Sequence, residues 1–397
     1  MSDRPLAAGL RAWLRPPRAH GEVIEDRTVS FLELFYDLVF VVLIARIAHT
    51  LAGDVSWAGV RDFVLVFMLI WVAWANGSTY HELHGGEDGR SRSYIFAQMS
   101  LLVPLSVFAG HATTDTGDGR GFAVVYALLL VLIGWQWFDV RRQDTPEMRS
   151  LSTNYVLGVA AVAAVMAVSA LVDSNGTRLI LWLVALVAGL AVALVQGPRF
   201  GDAVRVTESM AERFGLFIII VLGEVVVGVA DGLGEAGSGA RTFATALVAL
   251  GIGFGLWWNY FDFVGRRVPR PETGPRSIWL YGHLPLAMSI AATGAGMVSL
   301  IEHAADGRAP ANTAWLIAGG AAAAAASLAA VTATMAGHPG RRLVPYTLLG
   351  AGVVSLALAA LRPAPWILAA GINLALLAVW VEAFIRHARR GLPIAET

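Results

Sequence analysis

Cysteine and lysine are both missing from this 397-residue chain. Without cysteine there is no disulfide framework, no thiolate metal site and no Cys nucleophile. Without lysine, all 29 basic residues are arginine, and they balance 29 carboxylates to a formal net charge of zero. That balance offers no basic surface for nucleic acid. Charge is scarce as well: 15% of residues are charged, 56% are hydrophobic and the mean hydropathy is +0.63. These values exclude disordered, fibrous and ordinary soluble chains and point to a membrane protein whose first partner is the lipid bilayer. No phosphate loop, nucleophile elbow or catalytic dyad motif is present, and neither a cofactor nor a metal is expected. The first 30 residues carry Arg4, Arg11, Arg15, Arg18 and Pro16-Pro17 and lack an apolar stretch, so they read as a cytosolic tail and not as a cleaved signal peptide.

What the chain has in abundance is long apolar sequence. A bilayer core roughly 30 Å thick needs about 20 mostly apolar residues in a helix. Such runs occur at 31–49, 60–80, 93–111, 121–139, 153–172, 178–196, 213–230, 242–262, 278–301, 312–334, 344–361 and 366–386. They lack the alternation of barrel strands, so the expected fold is an all-α membrane protein of about twelve transmembrane helices. Arginine is distributed asymmetrically: 22 fall in the tails and the loops on the same side as the N-terminus, and six (Arg61, Arg120, Arg178, Arg241, Arg308, Arg362) in the opposite loops. Arg46 alone lies inside a span. The positive-inside rule therefore places both termini in the cytosol.

The two halves show weak self-similarity. Asn76 pairs with Asn259 at an offset of 183, Arg92-Ser93 with Arg276-Ser277 and Trp182 with Trp366 at 184. This order predicts two six-helix repeats related by an axis along the membrane normal. The expected organisation is a cytosolic tail over 1–30, a first bundle over 31–196, a cytosolic linker over 197–212, a second bundle over 213–386 and a tail over 387–397.

Ionisable groups inside hydrocarbon are costly and are candidates for function. Glu33 and Asp37 in the first span are four residues apart and share a helix face, where two anions repel unless one takes a proton or both share a donor. Glu33 also reads as a first-turn carboxylate near the helix N-terminus. Arg46 lies on the opposite face from Asp37. Glu224 is the most deeply placed carboxylate, and the offset of 183 lays it over Val41, one turn beyond Asp37. A polar set surrounds these acids: Asn76, Tyr80, His81, Glu82 and His84 ending the second span, Gln98 in the third, Asn259 and Asp262 ending the eighth and His283 in the ninth. The pair His81 and His84 reads as solvated loop histidines more readily than as a metal site. Glu302-His303 reads as interfacial. Gly251, Gly253 and Gly255, with Gly319-Gly320, read as close-packing positions.

The run Glu33-Leu-Phe-Tyr-Asp37-Leu-Val-Phe-Val resembles the hallmark of the bacterial low temperature requirement A family. Glu212-Arg213-Phe-Gly-Leu-Phe with Leu222-Gly-Glu224 resembles its second signature, and Trp257-Trp258 with Tyr260-Phe261-Asp262 extends the likeness toward the C-terminus. The resemblance implies a polytopic protein of the cytoplasmic membrane named for growth in the cold. It implies importance for Glu33, Asp37, Glu212, Arg213 and Glu224 and supplies no reaction. The chain departs at Ser209, where relatives usually have His, and at His81-Glu-Leu-His84, where they tend to have an Arg-Phe-Asp run. Selectivity at those positions differs accordingly if they bind a ligand or a proton.

The leading expectation is a secondary transporter or ion-conducting protein with a buried carboxylate site between two helical halves, acting on a small solute, proton or cation and linked to low-temperature growth. Its binding residues would come from Glu33, Asp37, Asn76, Glu224, Asn259, Asp262 and His283, with Glu212 and Arg213 as a structural ion pair. An intramembrane enzyme or lipid-handling protein using His81/His84 or Asp262/His283 is one alternative, and a membrane scaffold or sensor is another.

Overall fold

The structure is a computed structural model and describes residues 13, 15–22, 27–86, 88–197, 199, 201, 205–237, 239–335 and 343–389. Of the tails expected at 1–30 and 387–397, residues 1–12, 14, 23–26 and 390–397 lie outside that set. The described residues form twelve long helices: α1 (Phe31–Gly53), α2 (Trp57–His84), α3 (Gly89–Ala109), α4 (Thr116–Gln143), α5 (Pro146–Ser169), α6 (Asn175–Gln196), α7 (Glu208–Ala236), α8 (Ala240–Phe263), α9 (Thr273–Glu302), α10 (Ala311–Thr332), α11 (Val344–Leu361) and α12 (Pro365–Arg389). Eleven of them are long and apolar enough to cross a membrane; the remaining one is α1, which carries Glu33, Asp37 and Arg46.

Several helices start where short polar side chains satisfy first-turn amides that have no intrahelical partner. Asp88 accepts from Ser91 N at 2.7 Å, Asp115 from Asp118 N at 2.8 Å and Thr207 from Met210 N at 3.1 Å. Pro146 opens α5, where its missing N–H costs no hydrogen bond.

The chain divides into two compact units. The first comprises Met1–Ile47 and Leu65–Arg205, the second Ala48–Val64 and Val206–Thr397. In the first unit α4 packs between α3 and α5, and α5 packs on α6. Tyr126 on α4, fully buried, donates to Leu69 O of α2 at 2.8 Å. Arg178, counted above among the outer-loop arginines, is buried. It donates to Val172 O at 2.7 Å and Ser169 O at 3.4 Å, closing the carbonyl end of α5.

In the second unit α9 is the most enclosed helix and packs against α7, α8 and α10. Its Gly294 lies so close to α7 that a Cβ there would stand 2.7 Å from Glu224 O; a Cβ on Gly228 would stand 2.1 Å from Gly294 O. Gly251 and Gly255 of α8 lie against Asn373 and Leu376 of α12, and Gly253 against Val225 of α7. These three glycines thus act as close-packing positions, as their spacing suggests.

Candidate functional site

In the first unit the polar residues gather where α1 begins and α2 ends. Ser30 and Glu33 form a reciprocal cap: Ser30 Oγ accepts from Glu33 N at 3.3 Å, and Glu33 Oε2 accepts from Ser30 N at 3.0 Å. The same Glu33 carboxylate pairs with Arg27, whose guanidinium also pairs with Glu82 of α2 and donates to His81 O at 3.3 Å. One fork therefore ties the N-terminal segment, α1 and α2 together, as the planar geometry of arginine permits. One turn deeper, about 6 Å along α1 by helical rise, Asp37 is wholly excluded from solvent and accepts from Trp74 Nε1 at 2.8 Å.

His81 and His84 are not solvated loop residues. Both are buried in the last turn of α2. The helix continues past the end of the apolar run because the N-terminal segment covers it: Arg18 donates to Glu82 O at 2.8 Å and to Gly85 O at 3.0 Å, and His84 Nδ1 meets Arg18 O at 2.8 Å. His20 packs edge-on against His84 with ring centroids 4.5 Å apart. Its backbone N–H and ring Nδ1 lie 3.2 Å and 2.9 Å from Asp144 Oδ1 in the α4–α5 turn, and Ser152 donates to the other oxygen. Burial pushes the Asp144 carboxyl up, but the hydrogen bonds from His20 and Ser152 outweigh it and leave the group below its ordinary value. Among the described residues no three His, Asp or Glu side chains are placed to hold a metal ion.

Asn76 links α2 to two neighbouring helices. It donates to Tyr155 Oη of α5 at 2.6 Å and accepts from Trp137 Nε1 of α4 at 2.9 Å. Gln98 and Gln136, both without solvent exposure, join α3 to α4 through a hydrogen bond donated by Gln98 Nε2 to Gln136 Oε1 at 2.7 Å.

In the second unit Arg213 is buried and Glu212 half-buried in the second turn of α7. Glu224 is 5% exposed, sixteen residues on from Glu208, beside the glycine contact with α9. His283 is saturated: Nδ1 lies 2.6 Å from Trp279 O, which leaves Nε2, 3.1 Å from Tyr260 Oη, to accept the phenol proton. Asn259 donates to Gly255 O at 2.8 Å and to Leu376 O of α12 at 3.2 Å. Asp262 Oδ2 accepts from Trp258 Nε1 at 2.9 Å and Trp380 Nε1 at 2.6 Å. Asp262 and His283 thus have separate partners.

The sequence profile described as bacterial low temperature requirement A protein (LtrA) matches residues 28–381. The chain belongs to the LtrA family. It is 26% identical over 310 residues to an uncharacterized protein of Rhizobium meliloti (strain 1021), a match covering 73% of each chain. No solved structure matches.

Both resembling signatures fall inside the LtrA match, and the buried Asp37, Arg213 and Glu224 belong to them. The segment 15–22, with Arg18 and His20, lies ahead of the match. Sequence reasoning passed over Arg27, Asp144, Ser152 and Gln136. Arg27 and Asp144 flank apolar runs, and each has one partner distant in sequence, Glu82 for Arg27 and His20 for Asp144. Gln136 carried a readable signal, a buried amide in a span opposite Gln98, but helix facing was needed to pair the two.

Proposed function

We propose that this LtrA family protein is a secondary transporter or ion-conducting protein of the bacterial cytoplasmic membrane, with both termini cytosolic. Asp37 and Glu224 take up and release protons or bind the transported cation. The observation that carries the reading is the placement of Asp37: a carboxylate with no solvent exposure, inside a mostly apolar helix, accepting an indole N–H. An ionisable group buried within an apolar helix of a membrane protein is costly and marks proton or cation pathways, so Asp37 supports this reading. Glu224, at the middle of α7, supports the reading in the second unit. The likeness of the two sequence halves supports an origin by duplication, with the acids as functional counterparts.

Reconstituted protein in vesicles with an imposed pH gradient tests this. The wild type is expected to carry monovalent cation or proton flux, and Asp37→Asn and Glu224→Gln to lose at least about tenfold, the order of rate set by about 1.4 kcal/mol. Equal flux in all three proteins overturns the acid roles.

A further inference from the structure

In the first unit, α4 and α5 leave an apolar furrow between them, with about 720 Å³ of open space. Leu128, Trp135 and Phe138 of α4 form one wall, and Ala160, Ala164 and Ala167 of α5 form the other. Positions three and four apart share a helix face, so the alanines make a flat strip beside which the long α4 side chains leave room. Trp135 is 52% exposed, and the furrow opens on the outer surface of the unit. Along α4 it runs from Val124 to Phe138, about 21 Å by helical rise. Half of a bilayer core is roughly 15 Å, so the furrow is long enough to follow one leaflet.

Two arginines close one end of it by direct contact. The guanidinium carbon of Arg142 stands 4.7 Å from the centre of the Phe138 ring and 5.8 Å from that of Trp135, and that of Arg141 stands 5.7 Å from Phe138. Arg141 Nε also donates to Thr153 Oγ1 at 2.6 Å, so its side chain crosses from α4 to α5. Thr153 lies three residues before Val156, which lines the furrow. Arg142 reaches Asp139 at 3.8 Å, but Arg90 holds that carboxylate more closely, at 2.7 Å. Among the described residues no carboxylate pairs with Arg141. The Arg142 side chain is 53% exposed, so its donors are open to a ligand. Arginine placement predicts this end of α4 on the cytosolic side.

We propose that the α4–α5 furrow holds one acyl chain of an anionic phospholipid of the cytosolic leaflet, with the phosphate on Arg141 and Arg142. Guanidinium groups bind phosphate oxygens through several N–H donors at once. A neutral apolar molecule would fill the furrow and leave both cations unanswered, whereas a soluble anion would meet the cations and leave the furrow empty. An anionic lipid satisfies both. The site is independent of the transport reading, because its test reads lipid occupancy and not flux.

The full-length protein is placed in nanodiscs of equal parts phosphatidylglycerol and phosphatidylcholine with identical acyl chains, and the lipid that stays bound is counted by native mass spectrometry. A basic residue at a membrane surface favours anionic lipid by about fivefold. With two arginines, one partly offset by Asp139, the wild type is expected to retain phosphatidylglycerol over phosphatidylcholine by on the order of tenfold, and Arg142→Gln by about twofold. Arg92→Gln, at an exposed position at the start of α3 outside the furrow, should leave the ratio unchanged. Equal losses in these two variants, or no loss in Arg142→Gln, overturn the headgroup contact. Ala164→Phe, which fills the furrow at an exposed position, should release bound lipid of both kinds; full retention overturns the acyl-chain seat. Excess glycerol phosphate should not displace the lipid, and displacement overturns the lipid as the ligand. Recovery of a lipid-free dimer also overturns the proposal and assigns the furrow to a second copy of the chain.

Discussion

Asp144 shows how a single exposed-looking loop residue becomes a fastening point. Its carboxylate accepts from the backbone and ring of His20 and from Ser152, and these bonds hold its pKa below the ordinary 3.8 despite burial. A carboxyl depressed in the folded state contributes stability above its unfolded pKa and loses that contribution as pH falls through the lower folded value. The tie between residues 15–22 and the α4–α5 turn should therefore be intact at neutral pH and released only below the ordinary carboxylate range. Ser152→Ala removes one stabilising donor, so release should begin at higher pH. Amide-exchange protection of residues 15–22, corrected for intrinsic rates and followed as the pH is lowered, reads this out. Protection that survives strongly acid conditions, or is indifferent to Ser152→Ala, would contradict the assignment.

Between elements, close approach is set by glycine. The α7–α9 contact leaves no room for a side chain at Gly228, whose Cβ would meet a backbone carbonyl oxygen of α9 at 2.1 Å. A carbonyl cannot rotate away as a side chain can, so one of the helices must shift. Gly228→Ala is expected to cost about 2 kcal/mol or more, whereas Gly223→Ala, with nothing within 4 Å of the new Cβ, should be neutral or gain some tenths through helix propensity. Thermal unfolding in detergent separates the two variants. Equal midpoints would mean that the helices are not in contact there. Because Glu224 lies on the same stretch of α7, Gly228→Ala should also disturb its surroundings.

For the whole molecule, the decisive question is sidedness. The absence of cysteine makes the test direct, because any introduced thiol is the only one present. Thr114 and Thr145 are both exposed, the first between α3 and α4 and the second between α4 and α5. Arginine placement predicts Thr145 in the cytosol and Thr114 outside. An impermeant maleimide should label Thr114→Cys in intact cells and Thr145→Cys only after permeabilisation. The reverse pattern would invert the topology.

Much of this was legible in the chain itself, and for a definite reason. In hydrocarbon every backbone N–H and C=O must be satisfied within the segment, so apolar length alone dictates helices, and all twelve apolar runs lie on long helices. Asp37 and Glu224 fall within runs found by the same counting, and both are buried. The glycine contacts at Gly251 and Gly255 followed from their spacing. Which polar side chains remain available for chemistry could not be counted off, because it depends on rotation of each helix about its axis and on what covers its ends. Asn76, Asn259 and His283 make hydrogen bonds to Tyr155, Leu376 and Tyr260. His81 and His84, apparently beyond the apolar run, are buried because Arg18 closes the carbonyl end of α2. Apolar length is a one-dimensional property and is written locally, whereas hydrogen bonds between residues 23 to 117 positions apart exist only once the helices have packed.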